Sequence, residues 1–204
     1  PYLLPLILPA IRARYPALQL TISEAQSHQL VDQVSRGEID TAILALPYDC
    51  GSLLSFVFWE EDFVWVTQAG DEQADRRSIA ASELDPGSLM LLQEGHCLKD
   101  HALAACKLPA ASAHSLSATS LSTLVQLVAG GMGSTLVPEM ALSQLVEANP
   151  SLAAVPLDEP GPHRRIAFIV RPNYPMLDNI ERLMDLIREQ LANEMKRAGA
   201  DTGV

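Results

Sequence analysis

LQLTISEAQSHQLVDQVSRGEIDTAILAL, residues 18–46, changes its apolar period twice. Leu18, Leu20 and Ile22 alternate, the pattern of a strand with one covered face. Leu30, Val31 and Val34 then fall at helical spacing, and Gly37 stands where a left-handed residue would end the helix. IDTAILAL is a short continuous apolar run, which predicts a strand covered on both faces. Strand, helix and strand in this order imply a parallel sheet flanked by helices, an α/β fold.

The same alternation continues outward. PYLLPLILPAIRARYPAL places Leu3, Leu4, Ile7 and Ile11 on one helical stripe. EDFVWVTQ, LMLLQ, MGSTLVP, SLAAVPL and RRIAFIVRP read as further strands, the last two stopped near proline or charge. SLSTLVQLVAGG reads as a helix, with Thr119 or Ser120 to cap its start and Gly130-Gly131 to end it. PMLDNIERLMDLIREQLANEMKRAG is a long last helix with Leu177, Ile180, Leu183, Met184 and Ile187 on its apolar face. DTGV is expected to fray. The first β-α-β unit and the last strand and helix both need partners. A chain that leaves one α/β lobe and later returns to it supplies them.

Composition narrows the function. The chain is 48% hydrophobic and 19% charged, enough to bury a sizeable core. Its 14 Lys and Arg against 25 Asp and Glu give a net charge of -11, which argues against this chain gripping a phosphate backbone itself. No apolar run has the length to span a bilayer, and no signal peptide is visible. The Pro1 start is read as a piece of a longer protein. Three cysteines and no export signal point to a reducing, cytoplasmic setting, where a disulfide is transient and regulatory.

GHCLKDHALAACK, residues 95–107, carries the most specific chemistry. On one unbroken helix, Cys97 and Cys106 are turned about 900° apart and separated by about 13.5 Å along the axis. A disulfide needs Cα atoms within about 7 Å, so the two cannot bond while the helix stands. Either they never pair, or pairing melts the helix. Gly95 allows a tight turn that puts Cys97 at the helix start, where the dipole favours thiolate. His96 and Lys99 add donors or positive charge, and Asp100 opposes them. Cys106 follows ALAA and is expected to be a buried, less acidic thiol. Core packing alone is the competing account of both cysteines. A zinc site is disfavoured, because His96, Cys97, His101 and Cys106 lack paired C-x2-C spacing.

EAQSHQLVDQVSRGEIDTAILAL, LLQEGHCLKDHALAAC, ATSLSTLVQLVAGGMGSTLVP and RRIAFIVRP resemble the regulatory domain of the hydrogen-peroxide sensors among the LysR-type transcriptional regulators. The resemblance runs through essentially the whole chain, and GHCLKDHALAAC is its most specific part. It implies a two-lobed, periplasmic-binding-protein-like (type II) α/β effector domain with crossovers in EDFVWVTQ and RRIAFIVRP. Lobe one would hold residues 1–63 with 167–204, and lobe two residues 64–166 with the redox cysteines. By resemblance, Cys97 is the peroxidatic cysteine and Cys106 the resolving one. His96 and Ser27 would hold peroxide, Ser27 standing where the family has threonine. Lys99 stands where arginine is common, Asp100 neighbours it, and Arg164 matches an arginine near the thiolate.

The resemblance further implies a redox-sensing, non-enzymatic domain without metal or cofactor. Oxidation of Cys97 to sulfenic acid, then a Cys97–Cys106 disulfide, would refold the segment and alter oligomer geometry to control antioxidant genes. The implied partners are hydrogen peroxide, a second regulatory domain, a tetramer in the full protein, and glutathione or glutaredoxin as reductant. Promoter DNA would be reached only through an N-terminal winged helix-turn-helix outside this chain. The competing reading is a LysR-type domain that binds a small organic ligand between its lobes, with incidental cysteines. Elsewhere Ser27 alone reads as a helix N-cap, Cys50 as a bystander, and His28, His114 and His163 lack a visible constellation. Gly130-Gly131-Met132-Gly133 is a helix end rather than a phosphate loop, since no lysine follows.

Overall fold

A computed structural model describes residues 1–93, 97–107 and 117–201. The chain separates into two compact units, residues 1–59 with 166–204 and residues 60–165.

The first unit carries α1 (Leu4–Arg14), α2 (Ser27–Arg36), β1 (Thr41–Leu46), most of β2 (Leu54–Glu61), most of β8 (Arg164–Val170) and α6 (Leu177–Asp201). Its three-stranded sheet has the order β1-β8-β2. The last strand of the chain is therefore the central one. Ile166 to Val170 are all buried, as a strand with neighbours on both edges and cover on both faces requires. Val34, Ala42, Leu44, Leu53 and Ile169 form one core cluster. α1 buries Ile7 and Ile11 and packs against α6. Gly37 ends α2 at φ +75°, where only glycine is unstrained, and Arg171 Nη1 donates to the carbonyls of Val34 (2.6 Å) and Ile39 (2.9 Å).

The second unit carries β3 (Phe63–Gln68), β4 (Leu91–Leu92), α3 (Cys97–Ala105), β5 (Ser117–Ala118), α4 (Leu121–Ala129), β6 (Thr135–Pro138), α5 (Glu139–Leu145) and β7 (Leu152–Pro156). β3 is the middle of the sheet β6-β3-β7 and runs antiparallel to both neighbours. Trp65 sits opposite Leu136 on one side and Val155 on the other. Ser120 caps α4, its hydroxyl accepting from Thr123 N at 3.2 Å.

Two expectations are corrected here. LQLTISEA is not a strand: residues 18–26 have no ladder partner, and Leu18, Leu20 and Ile22 are exposed. Alternation marks a face fit for burial, but a strand also needs a neighbouring strand to accept its backbone bonds. In the second unit the three-stranded sheet β6-β3-β7 is antiparallel rather than parallel, while the short pair β4-β5 is parallel. β6, α5 and β7 do form a β-α-β unit with both strands in one direction, but β3 is inserted between them. The first break between the compact units falls at 59/60, within LSFVFWEE, close to the expected 63/64, and that strand was not among those read from the sequence. That strand escapes a search for alternation because only Phe58 and Glu61 along it are buried.

Gly133 fixes the approach of two segments. It adopts φ +143°, and a Cβ there would collide with the carbonyl oxygen of Ser88. Ser134 N donates to that same carbonyl at 2.9 Å, and Met90 N donates to Ser134 O at 2.8 Å. Gly133→Ala should therefore lose about 2 kcal/mol or more, lowering Tm by roughly 4–8 °C in thermal unfolding. An unchanged Tm would show that this approach is not constrained.

Candidate functional site

α3 begins at Cys97. Its inner face presents His101, Ala102 and Leu103, all buried, while Asp100 and Ala104 are exposed. The helical hydrogen bonding continues past its end: Cys106 N donates to Ala102 O and Lys107 N to Ala104 O, each at 3.1 Å. Lys107 then turns the chain away at φ +52°. Helical backbone thus spans the whole interval between the two cysteines. Nine residues of rise put their backbones about 13.5 Å apart, beyond the reach of a disulfide.

Cys106 is 6% exposed and belongs to the core cluster of Phe63, Trp65, Ile79, Ala81, Leu89, Leu136 and Val155. Burial, and then the charge of Glu159, push its thiol up to about 12. As it stands this sulfur is a protonated packing group with little nucleophilic character. Glu159 was not anticipated from sequence. Its Oε1 accepts from Ala81 N at 2.9 Å, and its Oε2 is buried with no hydrogen-bond partner among the described residues.

The remaining predicted residues are dispersed. Lys99 is half-buried at a small pocket lined by Leu91, Leu98, Leu121 and Leu124. Asp100 lies in the exposed first turn of α3. Gly95, His96 and His114 lie outside the described residues. Ser27 is buried and is the first residue of α2, so the N-cap position belongs to Gln26. Ser27 lies in the first unit and both helix-linked cysteines in the second. Cys50 is half-buried in the first unit, donating to Tyr48 O at 3.5 Å, with burial and then Asp49 raising its thiol. Among the described residues no group of His, Cys, Asp and Glu is arranged to hold a metal ion.

Arg164 has a defined partner. Its Nε and Nη2 both reach Oε1 of Glu61, whose side chain is 1% exposed. Glu61 Oε2 accepts from Met140 N at 3.1 Å, and the guanidinium lies over the Phe63 ring, 5.9 Å from its centroid. Phe63 N donates to His163 Nδ1 at 3.0 Å, and the two rings stack. Arg164 therefore reaches the Cys106 cluster through Phe63, with its charge already matched by a buried carboxylate. Neither Glu61 nor this pairing was anticipated. A glutamate at the start of a predicted strand reads as a solvated charge until the chain's return beside it is known.

A profile of the family described as LysR substrate binding domain matches residues 1–192. A hydrogen peroxide-inducible genes activator of Dickeya chrysanthemi is 34% identical over 203 residues, covering 99% of this chain and 66% of that protein. The reduced regulatory domain of OxyR2 from Vibrio vulnificus is 32% identical with a TM-score of 0.82, covering 92% of this chain and 89% of that one. A mutant of Corynebacterium glutamicum OxyR bound to H2O2 is 30% identical with a TM-score of 0.89, covering 100% of this chain and 65% of that one. The chain belongs to the LysR substrate-binding domain family. Within it, the chain is similar to OxyR regulatory domains. It spans about two thirds of the length of the curated relatives it matches.

Two measurements follow from the buried groups. The folded Cys106 thiol holds its proton up to about 12, against the ordinary 9.0. The unfolded chain therefore loses this proton first, and stability falls as pH rises from about 9 toward 12. One such thiol contributes a slope of about -1.4 kcal/mol per pH unit in that window. Cys106→Ala should remove that slope from urea unfolding between about pH 9 and pH 11; parallel curves would mean the thiol is not sequestered. Separately, Glu61→Ala strands the Arg164 guanidinium and should cost about 3–5 kcal/mol, with much of the loss recovered in Glu61→Ala/Arg164→Met. Additive losses would show that the pair is not coupled.

Proposed function

We propose that this chain is the peroxide-sensing regulatory domain of a LysR-type transcription regulator, with Cys97 as the sensing thiol and Cys106 as the resolving one. The observation that carries the reading is α3 itself: one cysteine opens it and the other is buried in the core at its end. Its relatives, hydrogen peroxide-inducible activators and an H2O2-bound OxyR among them, supply the oxidant in this reading.

The Cys97 thiolate attacks one oxygen of hydrogen peroxide, the O–O bond breaks, and hydroxide leaves to be protonated to water. Cys97 is oxidised to sulfenic acid. The α3 segment then unwinds and Cys106 is released from the core. Its sulfur displaces the hydroxyl of the sulfenic acid, forming the Cys97–Cys106 disulfide and a second water. A thiol reductant such as glutathione, or glutaredoxin, restores both thiols. His96, Ser27, Lys99 and Arg164 enter this reading as donors around peroxide and thiolate, and Asp100 as a charge beside Lys99, all by family resemblance.

The domain acts as a switch rather than as an enzyme. Its output is a change in contacts between copies, as a dimer and, in the full protein, a tetramer. DNA is bound by an N-terminal winged helix-turn-helix preceding this chain, which accords with the net charge of -11 carried here. No helix among the described residues is long and apolar enough to cross a membrane, and the reading places the regulator in the cytoplasm.

Thiol mapping by mass spectrometry after about one equivalent of hydrogen peroxide tests this. The expected product is a Cys97–Cys106 disulfide reversed by dithiol. Cys106→Ser should stop at sulfenic acid on Cys97. If both thiols stay reduced and alkylatable, the sensor reading fails and a small organic effector takes its place.

A further inference from the structure

His163 stands just before β8, where the chain returns from β7, and its side chain is only 4% exposed. Phe63 N donates to its Nδ1 at 3.0 Å. Nδ1 therefore carries no proton, and the ring's N–H is at Nε2, which donates to the carbonyl of Glu159 at 3.3 Å. Phe63 begins β3, and the ladder to β7 starts only at the next residue, Val64 opposite Pro156. The imidazole thus holds the first N–H of this central strand. A carboxylate stands beside the same ring nitrogen. Asp62 Oδ1 lies 3.5 Å from Nδ1 and already accepts from His163 N at 3.1 Å.

The other charged groups of this corner come from every element that meets there. Glu61 ends β2 and pairs with Arg164 at the start of β8. Glu139 begins α5, and its Oε2 accepts from Asp62 N at 3.3 Å. Burial raises the Glu139 carboxyl and the Asp62 amide lowers it; the charges of Asp62 and Glu61 raise it further, and His163 lowers it. Glu159 is held by Ala81 N at 2.9 Å, and Arg165 is exposed.

We propose that His163 is a proton-operated latch at the start of β3: neutral, it holds the Phe63 N–H, and on taking a second proton at Nδ1 it releases that N–H and turns to Asp62. An imidazolium has two N–H donors and no acceptor, so it cannot keep the bond from Phe63. Asp62 Oδ1 accepts the new N–H, and the Phe63 amide is left to find water. The Phe63 ring belongs to the core cluster of Ala102, Leu103 and Cys106. Acidification therefore acts on the packing around α3 without any oxidant. The latch stands apart from the peroxide reading and does not depend on it.

The test follows the ring nitrogens of His163 and the amide of Phe63 by NMR in 15N-labelled protein, from about pH 8 to about pH 5. At the alkaline end the proton should sit on Nε2, with a scalar coupling across the hydrogen bond between Phe63 N and Nδ1. As the ring takes its second proton the coupling should vanish, and protection of the Phe63 amide against exchange should fall roughly five- to ten-fold. Asp62→Asn keeps an acceptor for His163 N but removes the charge, so the ring should need roughly three- to ten-fold more acid to take that proton. His163→Gln keeps an acceptor for Phe63 N and cannot titrate, so Phe63 protection should no longer depend on pH across this range. A pure packing role would leave the coupling and the protection unchanged while the imidazole is protonated, and that result overturns the proposal. So does a ring that stays neutral throughout, a proton on Nδ1 at the alkaline end, or an Asp62→Asn titration that superimposes on the unsubstituted curve. A pH-dependent Phe63 amide that persists in His163→Gln would overturn it too, assigning the response to Glu139.

Discussion

The insertion of α3 into the core of the second unit is the constraint on which the rest turns. A nine-residue helix is too short to stand on its own propensity in water. It is held by Ala102, Leu103 and Cys106, which pack among Phe63, Trp65, Ile79 and Leu136. Burial of a leucine-sized side chain contributes about 1.5–3 kcal/mol, so the segment is held by a few such contacts.

Opposite charges meet where the chain enters and leaves the second unit. Glu61 is the last residue of β2 and Arg164 the first of β8, and the two strands are neighbours in one sheet. Their buried ion pair therefore ties the outgoing chain to the returning chain. Phe63, stacked by His163 and covered by Arg164, continues the same cluster into the second core. An arginine that sequence reading assigns to an anion site is, in this arrangement, also a structural cation. Its hydrogen bonds to Glu61 fix its guanidinium and limit how much charge it can offer elsewhere.

Much of the fold was legible because apolar period reports burial. The runs that became β1, β3, β6, β7 and β8, and the helices from α1 to α4 and α6, all carried their period openly. The stop at Gly37 and the cap at Ser120 followed from elementary backbone chemistry. What was not legible depended on contacts between distant segments. Leu18, Leu20 and Ile22 had the pattern of a strand without a neighbour to make it one. β2 and α5 bury too few of their residues to announce themselves. At the candidate site, the placement of Cys97 and the burial of Cys106 could be inferred locally. Glu61 and Glu159 could not, since each acquires its place from a partner 103 or 78 residues away.

The first unit is assembled from both ends of the chain, whereas the second is continuous. Its central strand, β8, and α6, which packs against α1, are synthesised only after the strands and helices of the second unit. Until then β1 and β2 have no strand between them, and Ile7 and Ile11 have no cover. The second unit can thus mature during synthesis while the first waits, a vulnerable interval in which chaperones would be engaged by α1 and β1 rather than by α3.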